Sequence, residues 1–327
     1  MSKILITGGA GYIGSHVTEQ LIKINKDVVI LDNLKTGYKS LLNKKAIFIK
    51  GDISNFKLLK SIISDNNIST IFHFAGLIDV IESQQFKKKY YKNNVLGTLN
   101  LLKIIKNSKI KNFIYSSTAG VYGDIKTAAK ETMKTKPINY YAWTKLKSEI
   151  LIKNYSKKNK FNYAILRYFN VAGASSTGNI GITNKKNESL FNILAKQALK
   201  KKPVINIFGN KHKTYDGTCI RDFIHISDLA SIHLKALAVL NKKKKSFLIN
   251  CGYGKGNSVL EIANLFKKHI NSSIDIRFKE PRKGEIVISY SNIDKMKKIL
   301  KWKPKFNNLG LILKSAVNWQ KKMKKLK

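Results

Sequence analysis

Apolar and polar positions follow two alternating periods through the first half of the chain. Compact apolar runs at Lys3–Thr7, VVILD closing at Asp32, Ala46–Ile53 and Ser69–Gly76 predict strands, and Lys111–Gly123 predicts a fifth that ends in hydroxyls at Ser116, Ser117 and Thr118. Between them, Tyr12–Ile24, Phe56–Ser64 and Tyr90–Ile105 carry apolar residues at helical spacing. Asn93 and Asn94 fall on the apolar face of the third of these, where one of them must meet a buried hydrogen-bonding need. Strand and helix alternate to about residue 170, which predicts a parallel sheet covered on both faces. Beyond Arg167 the alternation fades into glycine-containing loops. A helix from Leu190 to Lys200, another after Ser227-Asp228, the strand Ser246–Gly252 and a helix over Val259–Ile270 predict a second, mixed α/β lobe. The expected division is 1–175 and 176–327, with the strand near 246–252 returning to the main sheet.

The first strand runs into three spaced glycines and then a helix. Gly9, Gly11 and Gly14 fit G-x-G-x-x-G, and Gly8, Gly11 and Gly14 fit the related G-x-x-G-x-x-G. Such a turn brings backbone N–H groups and a helix N-terminus to a pyrophosphate, and its last glycine lets the helix pack close to the strand. A glycine-rich turn alone is a weak signal. Here a strand precedes it, an amphipathic helix follows, and the next strand ends in Asp32, a carboxylate suited to the two hydroxyls of an adenosine ribose and hostile to a 2′-phosphate. A Rossmann-type doubly wound sheet binding NAD rather than NADP is therefore expected, with Asp52 at the end of the third strand as a candidate acceptor for the adenine amino group.

Composition narrows the class. At 327 residues and 43% hydrophobic the chain can bury a sizeable core. Cys219 and Cys251 make neither a disulfide framework nor a metal cluster, so no metal is expected and a cytoplasmic location is. No apolar run approaches the roughly 20 residues that span a bilayer. The formal net charge of +43 invites a nucleic-acid reading. The lysines, however, are spread over nearly every predicted surface helix and lack interleaved aromatics, so neither nucleic acid nor membrane is expected as a partner. Only Arg167, Arg221, Arg277 and Arg282 stand among the 62 basic residues, so a planar fork for phosphate or carboxylate must come from these four.

The chemistry points to Tyr141 and Lys145, four apart and so on one helix face. A free tyrosine has a pKa of about 10, and a neighbouring ammonium favours its phenolate. The pair gains weight from its order in the chain: glycine turn, acidic strand end, hydroxyl-bearing strand end, then Tyr-Ala-Trp-Thr-Lys.

At this point the sequence resembles the extended short-chain dehydrogenase/reductase family and, within it, the UDP-hexose 4-epimerases. The resemblance rests on TGGAGYIGSH (7–16), LDNL (31–34), GDI (51–53), HFAG (73–76), YYKNNVLGTLNLL (90–102), SSTAGVYG (116–123), YYAWTK (140–145), LRYFNVAGA (166–174), FGN (208–210), DGTCIRDFIHISDLA (216–230) and PRKGE (281–285). It implies Tyr141 as catalytic acid/base, Lys145 as its electrostatic partner and ribose ligand, and Thr118 as the hydroxyl on the sugar O4. It implies a cofactor site of Gly8, Gly11, Tyr12, Ile13, Gly14, Asp32, Asn33, Asp52, Ile53, Phe74, Ala75, Asn93, Ser116, Tyr141, Lys145 and Tyr168. It also implies a UDP-sugar site of Thr118, Asn170, Ser189, Leu190, Phe208, Arg221, Arg282, Glu285 and Ser289, with both arginines on the diphosphate. A homodimer through the helices around Tyr90–Ile105 and Tyr140–Lys157 is a further implication. UDP-glucose and UDP-galactose are the expected substrates, through a 4-keto sugar; another nucleotide-sugar epimerase or a dehydrogenase with the same triad is the alternative.

Departures from the family pattern bear on chemistry. Related 4,6-dehydratases place Asp and Glu after the threonine, where this chain has Ala119 and Gly120, so elimination lacks its acid and base. Ile78 stands where some epimerases carry a lysine. Thr118 and Glu285 replace a commoner serine and aspartate. Ser289 stands where glucose-restricted relatives place a bulky tyrosine, which leaves room for a 2-acetamido group and an expectation that UDP-N-acetylglucosamine is also accepted.

Overall fold

The computed structural model describes residues 2–183, 189–282 and 284–325. The first elements are β1 (Lys3–Thr7), α1 (Tyr12–Lys23), β2 (Val28–Asp32), β3 (Ile47–Lys50), α2 (Phe56–Asp65), β4 (Ile68–His73), α3 (Val80–Gln85) and α4 (Lys87–Tyr90). They are followed by α5 (Gly97–Ile105), β5 (Asn112–Thr118), α6 (Tyr140–Asn159), β6 (Asn162–Tyr168) and β7 (Asn170–Ala172). Then come α7 (Leu190–Gln197), β8 (Val204–Phe208), β9 (Ile220–Arg221), β10 (Phe223–His225), α8 (Ile226–Lys243) and β11 (Phe247–Cys251). The last are β12 (Asn257–Ser258), α9 (Val259–His269), β13 (Asp275–Lys279), β14 (Ile288–Ser289), α10 (Asp294–Leu300) and α11 (Leu309–Lys325).

Seven parallel strands form the central sheet in the order β11-β6-β5-β4-β1-β2-β3. Alternate residues of each strand face opposite cores. Ile4, Ile6, Ile30, Phe72 and Leu166 face Val17 and Leu21 of α1 and Leu229 and Ile232 of α8. Leu5, Val29, Ile71, Phe113 and Ile165 face α2, α5 and α6 through Leu59, Leu101 and Ile152. Because both faces are covered, the strands read as apolar runs, and β2 is buried along its whole length. The strand order reverses between β1 and β4, so a crevice opens over their C-terminal ends, the usual ligand position in this architecture. Both the glycine turn and Phe74-Ala75-Gly76 lie at that crevice.

The rest of the chain adds short pairings: β10 on β7, β13 on β8, and β12 and β14 on the two sides of β9. Each pairing is parallel except that of β12 with β9. β11 leaves this region to pair with β6, so the segments interleave.

One predicted element is not a single helix. Within Tyr90–Ile105 the backbone widens to a π-helix over Tyr91–Leu96 before α5 resumes the α-helical period. The widened turn is satisfied by a side chain: Asn94 accepts from the Leu77 N–H at 2.8 Å and donates to the Leu77 carbonyl at 3.0 Å and to the Thr144 hydroxyl at 3.0 Å. One buried amide thus ties the loop after β4 to α6, a tertiary bond that helical spacing cannot announce. The third strand is also shorter than its apolar run, ending at Lys50, because Gly51 turns the chain beneath Asp32 with its N–H on the Asp32 carbonyl at 3.1 Å.

Candidate active site

The glycine turn is built by close approach. Gly8 has a positive φ of 76°, and a Cβ there would lie 2.6 Å from the Ala75 nitrogen; one on Gly14 would lie 2.4 Å from the Gly8 carbonyl oxygen. The turn therefore admits no side chain at either position. α1 begins at Tyr12 after Gly11 with no side-chain cap and no acidic residue in its first turn, which leaves donor groups at its N-terminus for an anion. Tyr12 turns its hydroxyl to the Gly173 carbonyl at 2.6 Å, while Ile13 packs beside the core. Asp32 accepts from the Ala10 N–H at 3.0 Å and the Leu34 N–H at 2.8 Å, so its carboxylate is held at the mouth of the turn. Asn33 donates to Asp52 at 2.7 Å, and the Ser54 N–H donates to the other Asp52 oxygen at 2.9 Å. Buried Ile53 packs against Gly97. Donors at the pyrophosphate position, a carboxylate at the ribose position and a floor too tight for a Cβ together fit a dinucleotide.

Across the crevice, the end of β5 and the start of α6 bring the predicted Tyr141, Lys145 and Thr118 together. Lys145 Nζ donates to the Ser116 carbonyl at 2.8 Å and lies 5.0 Å above the Tyr115 ring. A Cβ on Gly76 would meet the same Nζ at 3.4 Å, so the loop after β4 passes directly over the ammonium. Burial pushes the Lys145 pKa down to about 8, opposed by the charge of Glu149. Burial likewise pushes Tyr141 up to about 12, opposed by a hydrogen bond from Thr118, the residue that closes β5. The Thr118 hydroxyl also accepts from the Gly120 N–H at 3.1 Å. The predicted Tyr141, Lys145 and Thr118 are thus adjacent at one strand tip, beside the glycine turn. Phe74 and Ala75 continue from β4 with both N–H groups on the Thr7 carbonyl, and Asn93 donates to Asn94 at 2.9 Å. Tyr168 is buried, and its hydroxyl bonds to His233.

The short ribbons hold the predicted substrate groups. Arg221 at the end of β9 donates to the Ile220 and Val287 carbonyls at 2.9 and 3.0 Å and lies 3.7 Å from Glu285. Ser289 pairs with Arg221 in register on β14. The guanidinium of Arg282 lies 4.0 Å over the Phe208 ring at the end of β8. Asn170 donates from its amide to the Asp222 carbonyl at 3.3 Å. Ser189 and Leu190 open α7 at the edge of this region. Of the other arginines, Arg277 makes an exposed pair with Asp275, and Arg167 is buried against Glu149.

Two residues that sequence reasoning did not single out support the site. Asp222, fully buried, accepts from the Tyr253, Gly254 and Ser291 N–H groups at 2.9–3.2 Å and from the Ser291 hydroxyl at 2.5 Å, which fixes the strand that carries Arg221. Its neighbouring position to Arg221 was the available signal. Glu149 lies one turn beyond Lys145, on the same helix face as Tyr141 and Lys145. His212, Cys219 and Glu285 place their ligand atoms within 4.8 Å of one another, but the Arg221 guanidinium beside Glu285 makes this a poor place for a cation.

A model of the NAD dependent epimerase/dehydratase family matches residues 4–252. The chain belongs to that family. Among curated relatives, the UDP-glucose 4-epimerase of Azospirillum brasilense is 36% identical over 98% of this chain and 92% of its own length. Among solved structures, UDP-glucose-4-epimerase from Stenotrophomonas maltophila, with bound NAD and formylated UDP-arabinopyranose, superposes with a TM-score of 0.95 at 30% identity over the whole of both chains. The UDP-Glc/GlcNAc 4-epimerase from Campylobacter jejuni superposes with a TM-score of 0.85 at 40% identity over 98% of this chain and 100% of that one. As in the family, the cofactor is NAD. No described helix is long and apolar enough to cross a membrane.

Proposed function

We propose that this chain is a UDP-hexose 4-epimerase that interconverts UDP-glucose and UDP-galactose with tightly held NAD. The observation that carries this reading is the meeting of Tyr141, Lys145 and Thr118 at the tip of β5, in a chain that also carries a dinucleotide turn.

Tyr141 takes the proton from the sugar O4, and Thr118 holds that oxygen. Burial opposes the phenolate, so the Lys145 ammonium offsets it, and the ammonium must survive to the working pH. The glycine turn and Asp32 would hold NAD, which would supply a reversible hydride acceptor for C4. The 4-keto sugar then turns in the pocket, and Tyr141 delivers the proton back. Arg221 and Arg282 grip the diphosphate as bidentate donors, Phe208 lines the uracil position, and the hexose stays free to turn. In this reading residues 1–175 hold the cofactor and 176–327 the nucleotide sugar, with Asp32 on the adenosine ribose and Asn170 positioning the substrate.

Ser289 widens the hexose pocket, so UDP-N-acetylglucosamine is accepted as well. The likeness to the Campylobacter jejuni enzyme supports this. Ser289→Tyr is expected to depress turnover of the acetamido sugar relative to the plain hexose; an unchanged ratio contradicts the assignment. A cytoplasmic homodimer fits the two free, buried cysteines and the exposed Tyr91, Leu96 and Ile150 on the helices around the π-turn and on α6. Light scattering at micromolar concentration is expected to give twice the chain mass, and a monomer mass contradicts it.

The reading is tested by incubating the purified protein, with no added NAD, separately with UDP-galactose and UDP-N-acetylgalactosamine. Conversion to the 4-epimers is expected. Consumption of added NAD with accumulation of an oxidised sugar contradicts epimerisation and favours a dehydrogenase.

A further inference from the structure

Directly behind the reacting groups lies an ion pair that the proposed mechanism does not use. Glu149 and Arg167 are 0% and 3% exposed. Their fork is bidentate: Arg167 Nε donates to one Glu149 oxygen at 2.9 Å, and a terminal guanidinium nitrogen donates to the other at 2.6 Å. The same carboxylate accepts from the Ser117 hydroxyl at 2.5 Å. Ser117 stands between Ser116, whose carbonyl receives the Lys145 ammonium, and Thr118, which bonds to Tyr141. Arg167 is itself braced by the Tyr122 ring, 4.8 Å from the guanidinium carbon, and Tyr122 donates to Asn250 on β11 at 2.7 Å. Burying such a pair carries a desolvation cost that its attraction only partly offsets, so stability alone is a weak reason for it.

We propose that Glu149 is a positioning residue of the epimerase site, which locks the Ser116–Thr118 strand tip and supplies the negative charge that keeps Lys145 an ammonium beside Tyr141. The inference rests on the reading of Tyr141 and Lys145 as the reacting pair. The groups around the ammonium are Glu149 from α6 itself, the Tyr115 ring from β5, and His73 from β4, held neutral by burial; from β6, Arg167 pairs with Glu149 and Tyr168 lies near Tyr141. Glu149 is the one anion in this group. Burial lowers the Lys145 pKa, and the Glu149 charge limits the fall. Arg167 then has a defined part: it keeps Glu149 ionised in a dry site and fixes its direction.

The test compares the wild-type enzyme with Glu149→Gln, Glu149→Asp and the double variant Glu149→Gln/Arg167→Met, each loaded with NAD. The double variant leaves no unpaired buried charge, so it remains measurable if Glu149→Gln alone fails to fold. Turnover of UDP-galactose is followed across pH, and thermal stability is followed in parallel. In Glu149→Gln and in the double variant, the alkaline limb of kcat is expected to move to lower pH by about half a unit or more, a roughly threefold shift in the proton concentration at half-activity. Glu149→Asp, which keeps the charge, is expected to restore the limb towards its wild-type position. A merely structural pair would lower kcat or thermal stability evenly and leave the limb in place, and that result overturns the proposal. Absence of 4-epimerisation by the wild-type protein overturns instead the reading on which it rests.

Discussion

The strand tips of the central sheet and the ribbons around β9 place polar groups under opposite conditions. At the tip of β5, Lys145 is buried and bonded to a fixed carbonyl, and Asn94 spends its amide on Leu77 and Thr144. Around β9, Arg282 lies on an aromatic face, while Glu285 and His212 each keep a buried side-chain atom with no hydrogen-bond partner among the described residues. The first arrangement fixes the direction of its groups before a ligand arrives, which suits groups that must meet a reacting atom in one geometry. The second keeps bonding capacity in reserve, which suits a grip on a diphosphate while the sugar beyond it turns over.

Breaking the sheet side is expected to have the largest effect. Tyr141→Phe removes the acid/base and is expected to lower kcat by roughly 10²–10⁴-fold, with NAD still released on denaturation in one equivalent per chain. Gly14→Val forces a Cβ into the Gly8 carbonyl, 2.4 Å away, and is expected to yield protein carrying little or no NAD, as read by absorbance after acid extraction. On the ribbon side, Arg221→Lys trades a planar fork for a point charge. It is expected to raise KM for UDP-galactose roughly tenfold, with bound NAD unchanged. If Arg221→Lys also stripped the NAD, the two regions could not be separate in function.

Two pH effects sharpen the contrast. Activity is expected to fall as pH rises through about 8, where Lys145, lowered by burial, loses its charge and Tyr141 its partner. Stability is expected to respond at the other end. Burial lowers His16 and His73 to about 3 and His225 and His233 to about 4. Their folded values lie below the unfolded value of about 6.5, so the unfolded chain binds protons first. Their contribution is complete above about pH 6.5 and is lost progressively as pH falls to about 3, which thermal denaturation across that range would show as a falling midpoint. His16, His73 and His233 lie on α1, β4 and α8, which form or cover the sheet, so an acid transition that began in β8–β13 would contradict the assignment.

Much of the sheet side was legible in the sequence, because dry parallel strands must be apolar runs and a pyrophosphate turn must be glycine. Tyr141 and Lys145 could be read for the same reason: four residues on a helix fix a shared face. The π-turn at Tyr91–Leu96 was not legible, since the bonds made from it by Asn94 reach Leu77 and Thr144, distant in sequence. Nor was the partner of Arg167. The residue stands out by its rarity among lysines, but only folding brings β6 against α6 and Glu149. In the ribbons, two- and three-residue strands leave no period to read, and Asp222 is visible as a hub only once Tyr253, Gly254 and Ser291 converge on it.

The central claim is that the hydrogen removed from C4 is stored within the site and returned to the same carbon. The most direct measurement is to run the epimerisation of UDP-galactose to equilibrium in D₂O and examine C4 of the product by NMR. The account predicts UDP-glucose with no deuterium at C4, because only the O4 proton, handled by Tyr141, exchanges with solvent. Deuterium at C4 would mean that the carbon is inverted by proton exchange, and would contradict it.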